Sequence, residues 1–210
     1  MTVIPNFVVF EGGDGSGKST QLRLLAQRFE SQPDLPRLFP TFEPTDSSIG
    51  RLIRSALRQD PPLLPETVAR LFAADRNEHL YRQGGILSRC GKGELVVCER
   101  YTLSSLIYQG ITCGKDFSWK LNAGFPLPEA LIFFALDPRL ACRRIAARHT
   151  KDIYENLPFQ AQVQERYHEA LPRCAEAGVR VAVVDASAPE GEVAGALWRE
   201  LKKLPILKKA

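Results

Sequence analysis

Residues 11–20 read EGGDGSGKST, and Gly12, Gly17, Lys18 and Ser19 within them fall into the spacing G-x-x-x-x-G-K-[ST]. Glycines so placed let the backbone turn sharply and approach a ligand closely, so that successive N–H groups converge on phosphate oxygens at the positive end of a helix. The lysine then reaches the outer phosphates of a nucleoside triphosphate, and the hydroxyl after it is placed to ligand Mg²⁺. Gly12, Gly13, Asp14, Gly15, Ser16, Gly17, Lys18, Ser19 and Thr20 are therefore the candidate ATP-binding run. This names a phosphoryl donor and leaves the acceptor open.

Magnesium at such a loop calls for a second ligand from the end of a neighbouring strand, and ELVVCER supplies Glu99. A surface acid that merely ends a strand is the plainer alternative. In LFAADRNEH, Phe72 and Arg76 stand four residues apart and share one face of a helix. A flat ring beside a guanidinium can stack on a base and donate to its carbonyl edge, although a core phenylalanine with an arginine at its rim has the same spacing. His79, His149 and His168 show neither triad nor metal spacing and are assigned to surface or packing.

These side chains need a scaffold. NFVVF (6–10) is a β-branched and aromatic run that stops at the glycines, and Leu22, Leu24, Leu25 and Phe29 then recur at helical spacing from Ser19 to Phe29. Further strands are expected at Leu95–Cys98, Ala130–Leu136 and Val179–Val184, hydrophobic enough to be covered on both faces, with a weaker one near Leu38 and Phe39. Helical periodicity covers Glu66–Tyr81, Arg139–Arg148, Phe159–Ala177 and Glu190–Leu204. Strands alternating with helices predict a parallel sheet with crossovers. Asp137-Pro138 fits an N-cap with a first-turn proline, and Gly178 a helix stop.

The 210 residues suit one domain, and 44% apolar with 25% charged residues argues against disorder and fibrous structure. The longest apolar run, Ala130–Leu136, is too short to cross a bilayer, and MTVIPN lacks the regions of a secretory signal. A cytoplasmic protein with no membrane partner is expected. Its five cysteines (Cys90, Cys98, Cys113, Cys142, Cys174) include no C-x-x-C pair, so neither a disulfide framework nor a zinc site is suggested, and mostly buried reduced thiols are expected. The net charge of +4 is too small to demand nucleic acid. The basic residues concentrate instead at Arg139, Arg143, Arg144, Arg148, His149 and Lys151.

The segments EGGDGSGKSTQ, FEPTDSSIGRLIR, LFAADRNEH, ERYTLSSLIYQG and DASAPE occur in an order and spacing that resembles the thymidylate kinases. The resemblance covers nearly the whole chain and is most specific in the FAADR helix and the ERY…YQG segment. It implies an α/β, P-loop NTPase fold of three αβα layers, with a five-stranded parallel sheet surrounded by helices and a short lid. One domain over 1–210 is implied, with the glycine loop at 11–20, substrate-binding helices at about 42–110 and the lid at about 144–157. The implied reaction transfers the ATP γ-phosphoryl to dTMP, with Mg²⁺, in dTTP biosynthesis, by a homodimer.

By the same resemblance Asp14 faces the sugar 3′-hydroxyl and acceptor phosphate, Phe72 stacks on thymine and Arg76 bonds its carbonyl. Arg100 holds the dTMP phosphate, Ser105 lies near the base N3 edge, and Tyr108 with Gln109 walls the deoxyribose and base. RRIAARHTKDIYEN resembles the lid over the ATP phosphates, with Asp152 and Glu155 as its acids. Because Gly15 follows Asp14, the catalytic arginine is expected from that lid, Arg148 first, with Arg144 and Lys151 behind it. The catalytic set is thus Lys18, Arg100, Arg148 and Asp14, with Arg144 and Arg148 on ATP and Ser19 and Glu99 on the metal. The chain departs from the family pattern at Glu99, where an aspartate is usual, at Phe42, where many bacterial relatives have arginine, and at Ile153, where lids often carry arginine.

Rival readings are a related kinase for another nucleotide or a deoxynucleoside, and a nucleotide-dependent switch or DNA-directed ATPase. No asparagine is followed by lysine, so the N-K-x-D guanine signature of switches is missing. A second anion needs no strong general base, since a 5′-phosphate has its second pKa near ~6. Two polyanions do need fixed cations between them.

Overall fold

The computed structural model describes residues 2–146 and 153–208. Five parallel strands form one sheet in the order β2-β3-β1-β4-β5: β1 (Val3–Glu11), β2 (Leu38–Phe42), β3 (Leu95–Glu99), β4 (Leu127–Ala135) and β5 (Arg180–Asp185). Alternation along each strand sorts side chains to two faces. Val8, Phe10, Ile132 and Phe134 pack beneath α1 (Lys18–Glu30) and α9 (Glu190–Leu201) with Leu22, Leu25 and Leu197. Leu131 and Phe133 face the other way, onto Val163 and Tyr167 of α8 (Leu157–Glu176) and Leu103 and Ile107 of α5 (Thr102–Cys113). Phe7, Val9, Val96 and Cys98 share that side with Leu80 of α3 (Pro65–Tyr81) and Ile86 of α4 (Ile86–Gly91).

Register places the chemistry. Phe10 of β1 pairs with Glu99 of β3 and Ile132 of β4, so the glycine loop and Glu99 emerge side by side at the carboxyl edge of the sheet. In open parallel sheets, ligands bind in the crevice beyond that edge where the strand order reverses. Here β1 leads outward to β2, and β3 returns between them.

The expected strands and the long helices are present, and Asp137 caps α7 (Pro138–Ala146) by accepting from the N–H groups of Arg139 at 2.8 Å and Leu140 at 3.2 Å. Gly178 ends α8 at φ +91°. The last helix stops at Leu201, before a short 3-10 turn at Pro205–Leu207. Three expectations change. β5 is an edge strand with one paired neighbour, and its Val183 is 61% exposed rather than covered on both faces. Cys90 of α4 packs with Ile86 and Val96 and Cys98 lies on β3, so both are buried, whereas Cys113, Cys142 and Cys174 of α5, α7 and α8 are only partly so. Between β2 and β4 the chain also forms α2 (Ser48–Leu57), α4, α5 and α6 (Lys115–Asn122), short helices that periodicity alone did not single out. Among the described residues, no helix is long and apolar enough to cross a membrane.

The loop between β2 and α2 is fastened from α3. Asp75, buried in α3, accepts from the Thr45 N–H at 2.7 Å, the Thr45 hydroxyl at 2.6 Å and the Ser47 hydroxyl at 2.8 Å. Ser47 in turn caps α2 through the Gly50 N–H at 3.0 Å. A Cβ at Gly50 would stand 1.8 Å from the Thr45 carbonyl oxygen, so only glycine lets the helix start against this loop. Gly50→Ala is expected to lower stability by at least about 1–3 kcal/mol through overpacking; a wild-type midpoint in urea denaturation would contradict this packing.

Candidate active site

The glycine loop has the backbone its sequence demands. Gly12 lies at φ +147° and Gly15 at φ +77°, and a Cβ on them would meet the Phe134 carbonyl oxygen at 2.8 Å and the Ala141 carbonyl oxygen at 2.7 Å. The position after Asp14 is thus closed to any side chain by α7. Lys18 is buried, and its Nζ donates to the Gly12 and Gly13 carbonyls at 3.1 and 2.8 Å and to Ser16 Oγ at 3.1 Å. Burial, then the Arg100 charge, lowers the Lys18 pKa to about 8 against the pull of Glu99, Asp14 and Glu11.

Arg100 follows β3 at φ +65°, a left-handed conformation that costs a non-glycine residue about 1 kcal/mol or more. Its N–H donates to the Phe10 carbonyl at 2.9 Å, which turns the side chain back over the glycine loop. There its Nη2 pairs with Asp14 Oδ1, and its Nη1 donates to Ser104 Oγ at 3.1 Å. Asp14 Oδ2 accepts from the Tyr108 hydroxyl at 3.1 Å and from Gln160 Nε2 at 2.8 Å. Burial opposes ionisation of Asp14, yet the Arg100 and Lys18 charges, helped by the Tyr108 and Gln160 hydrogen bonds, hold its carboxyl below the ordinary aspartate range. Asp14 is therefore an anion held among cations.

Glu11 anchors α5 from below. Its buried carboxylate accepts from the N–H groups of Tyr101 and Ser104 at 3.1 and 3.2 Å and from the hydroxyls of Ser104 and Tyr167, both at 2.7 Å. Burial raises its pKa despite the Ser104 and Tyr167 hydrogen bonds. The face of α5 that this fixes carries Ser105, Tyr108 and Gln109.

Asp14, Phe72, Arg76, Arg100, Ser105, Tyr108 and Gln109 all line one cavity of about 420 Å³, and Ser19 and Glu99 stand at its glycine-loop side. The structure thus gathers every residue expected on the acceptor side. Arg76 is fully buried: Nε donates to Glu43 Oε2 at 2.9 Å, Nη2 to Ser105 Oγ at 2.9 Å, and Nη1 to Asn122 Oδ1. Among the described residues Nη1 has this one acceptor, which leaves its second hydrogen for a ligand. Gln109 Oε1 is buried with no hydrogen-bond partner among the described residues. The Glu99 carboxylate accepts no hydrogen bond from the described residues.

On the donor side, Arg144 is exposed on α7, and its Nη1 donates to the Ala186 carbonyl at 3.0 Å, beside the DASAPE segment. Arg148, Lys151 and Asp152 lie outside the described residues. His79 is buried in contact with Glu43 and Thr41, and His168 is exposed; His149 lies outside the described residues.

Several cavity residues escaped the sequence reading. Arg54 of α2 lines the cavity, its guanidinium carbon 6.0 Å from the Phe42 ring centre, and donates to the Pro44 and Thr45 carbonyls at 2.5 and 2.8 Å. It brings a cation to the mouth where Phe42 stands. Tyr154 closes another wall, stacked on Phe159 at 4.8 Å between ring centres. Gln160 holds Asp14 at both its side chain and its N–H, the latter at 3.2 Å. Only Arg54 carried a signal, as the second arginine of FEPTDSSIGRLIR; Gln160 lies 146 residues from its partner.

The family profile described as thymidylate kinase matches residues 10–196. The chain belongs to the thymidylate kinase family. Among its relatives, proteins named as thymidylate kinases from Treponema pallidum (strain Nichols) and Pyrobaculum aerophilum are each 39% identical, over 191 and 199 residues. The first match covers 90% of both chains, and the second 94% of this chain and 97% of the relative. One from Methanococcus maripaludis (strain S2 / LL) is 38% identical over 167 residues, 79% of this chain and 77% of the relative. Family membership joins the loop and the cavity in one reaction.

The Lys18 environment gives that reaction a pH signature. The ammonium must be charged to meet phosphate, so kcat/KM for ATP is expected to fall as pH rises through about 8, the free-enzyme pKa. A profile flat to pH 10 at saturating acceptor would contradict the burial of Lys18.

Proposed function

We propose that this protein transfers the γ-phosphoryl of ATP to dTMP, giving dTDP and ADP on the way to dTTP. The observation that carries this is the acceptor cavity: an aromatic face (Phe72), and, among the described residues, a guanidinium nitrogen with a single acceptor (Arg76 Nη1) and a buried amide oxygen without a partner (Gln109) on its walls, with Arg100 at the glycine-loop end. Thymine offers what these groups lack. Its carbonyls accept from Arg76 Nη1, its N3–H suits an acceptor at the Ser105 and Gln109 edge, and its ring lies against Phe72. Unpaired polar groups in such a pocket disfavour ligands of the wrong hydrogen-bonding pattern.

The chain's residues divide the chemistry. Residues 12–20 hold the donor phosphates by backbone N–H groups, with Lys18 on the outer phosphates and Arg144 at the donor edge. Arg100 and Arg54 approach the acceptor phosphate from the other side, which offsets repulsion between the two anions. Asp14, ionised and fixed by Tyr108 and Gln160, orients Arg100 and faces the sugar. Ser19 and Glu99 are two oxygen donors on the same wall, one a carboxylate with no hydrogen bond from the described residues, and they fit Mg²⁺, which takes one or two carboxylates plus substrate phosphates. When bound, Mg²⁺ supplies charge neutralisation at the donor phosphates. Arg148 is the proposed lid cation over the transferring group.

We further infer one working domain that acts in the cytoplasm as a homodimer, without membrane or nucleic-acid partners. All five cysteines are free, in keeping with a reducing compartment, and Leu52 of α2 with Leu64 and Tyr81 at the ends of α3 leave apolar surface for a second copy.

A panel of dTMP, dUMP, AMP, CMP, GMP and thymidine with ATP and Mg²⁺ tests the reading, with dTMP expected to be turned over best. Phe72→Ala is expected to raise KM for dTMP by about 10–100-fold, the range for losing an aromatic stack on a base, with KM for ATP unchanged. Equal losses for both nucleotides would remove Phe72 from the acceptor site.

A further inference from the structure

Three side chains from distant parts of the chain meet behind Arg76. Glu43 follows β2, His79 lies on α3 and Cys98 on β3; all three are buried, and their donor atoms lie within 4.8 Å of one another. Local spacing gives no hint of this group, because 19 residues separate even its nearest members, His79 and Cys98.

We propose that Glu43, His79 and Cys98 form a Zn²⁺ site with one oxygen, one nitrogen and one sulfur donor. Mixed N/S/O donors select zinc over Mg²⁺ or Ca²⁺, and three protein ligands with a fourth position for water is a known zinc arrangement. His79 Nδ1 and Glu43 Oε1 are 3.1 Å apart. Tetrahedral zinc with bonds of about 2.0–2.1 Å spaces two such ligands by about 3.3 Å. The ion therefore takes the place of the hydrogen between them.

The atoms that turn away from the ion are already held. His79 Nε2 meets Thr41 Oγ1 at 2.7 Å, and Glu43 Oε2 stays on Arg76 Nε at 2.9 Å. Zinc-binding histidines and carboxylates characteristically have their outer atoms fixed in this way. A second cavity, of about 400 Å³ and lined by Thr41, His79, Asp46 and Arg82, reaches the imidazole. On binding, Zn–N, Zn–O and Zn–S bonds form and the Cys98 S–H bond breaks, its proton passing to solvent. The imidazole proton moves from Nδ1 to Nε2 and is donated to Thr41.

The site is coupled to catalysis through Glu43. A dication on Oε1 withdraws negative charge from Oε2 and leaves the Arg76 guanidinium a stronger donor, so zinc and acceptor nucleotide strengthen each other reciprocally. This coupling rests on the acceptor reading above; the metal site does not.

Co²⁺ titration of the full-length protein, with Zn²⁺ as competitor, tests the site. The expected result is a thiolate-to-cobalt charge-transfer band that Zn²⁺ bleaches, that persists when Cys90, Cys113, Cys142 and Cys174 are changed to serine, and that is lost in Cys98→Ser. His79→Gln is expected to weaken Zn²⁺ by about 100-fold and Thr41→Val, which keeps all three ligands, by about tenfold. No band, a band that survives Cys98→Ser, or unchanged Zn²⁺ affinity in both His79→Gln and Thr41→Val overturns the site. A cobalt band with no effect of Zn²⁺ on KM for dTMP keeps the site and overturns the coupling.

Discussion

A carboxylate that must stay ionised in a nearly closed space organises this protein. Asp14 sits between Arg100 and Lys18, and burial alone would raise its pKa. The two cations reverse that preference, and the Tyr108 and Gln160 hydrogen bonds fix where the carboxylate points. One anion thereby ties together the turn after β1, the turn after β3, α5 and α8. The same rule recurs around it: Glu11 is surrounded by four donors at the foot of α5, and Glu43 by Arg76 and His79. Buried charges hold only when paired, and breaking one such pair costs about 3–5 kcal/mol.

The two ends of the cavity differ in kind. At the acceptor end, Arg76 is held on three sides, Ser105 and Gln109 lie on a helix fixed by Glu11, and Asp75 staples the facing loop. Such preorganisation lets discrimination come from groups that do not move. At the glycine-loop end, the backbone is shaped by Gly12 packed against β4 and Gly15 against α7, and the exposed Arg144 donates to the Ala186 carbonyl.

Much of this was legible in the sequence, for identifiable reasons. The glycine loop declares itself because its conformation excludes other residues, and the buried strands because both faces are apolar. β5 misled for the same reason: a hydrophobic run looks the same at a sheet edge as at its centre, although Val183 is largely exposed. The i,i+4 spacing of Phe72 and Arg76 fitted a core pair equally well and the family resemblance singled them out, but the Glu43 and Asn122 groups that hold Arg76 had no signal, since they come from 33 and 46 residues away. The short helices α4 and α6 carry too few turns for periodicity to speak. Expecting no metal among the cysteines followed from local spacing, which is blind to Cys98 meeting His79 and Glu43 through the fold.

The central claim is that fixed cations hold two anions in one line, with Arg100 reading the acceptor phosphate and the Phe72–Arg76 pocket reading its base. Calorimetric binding of dTMP and of thymidine, which lacks the phosphate, to wild-type and Arg100→Met protein tests it most directly. The account predicts a loss of about 2–5 kcal/mol for dTMP, the range for a buried hydrogen-bonded charge pair that loses one partner, and little change for thymidine. Equal losses for both ligands would contradict it.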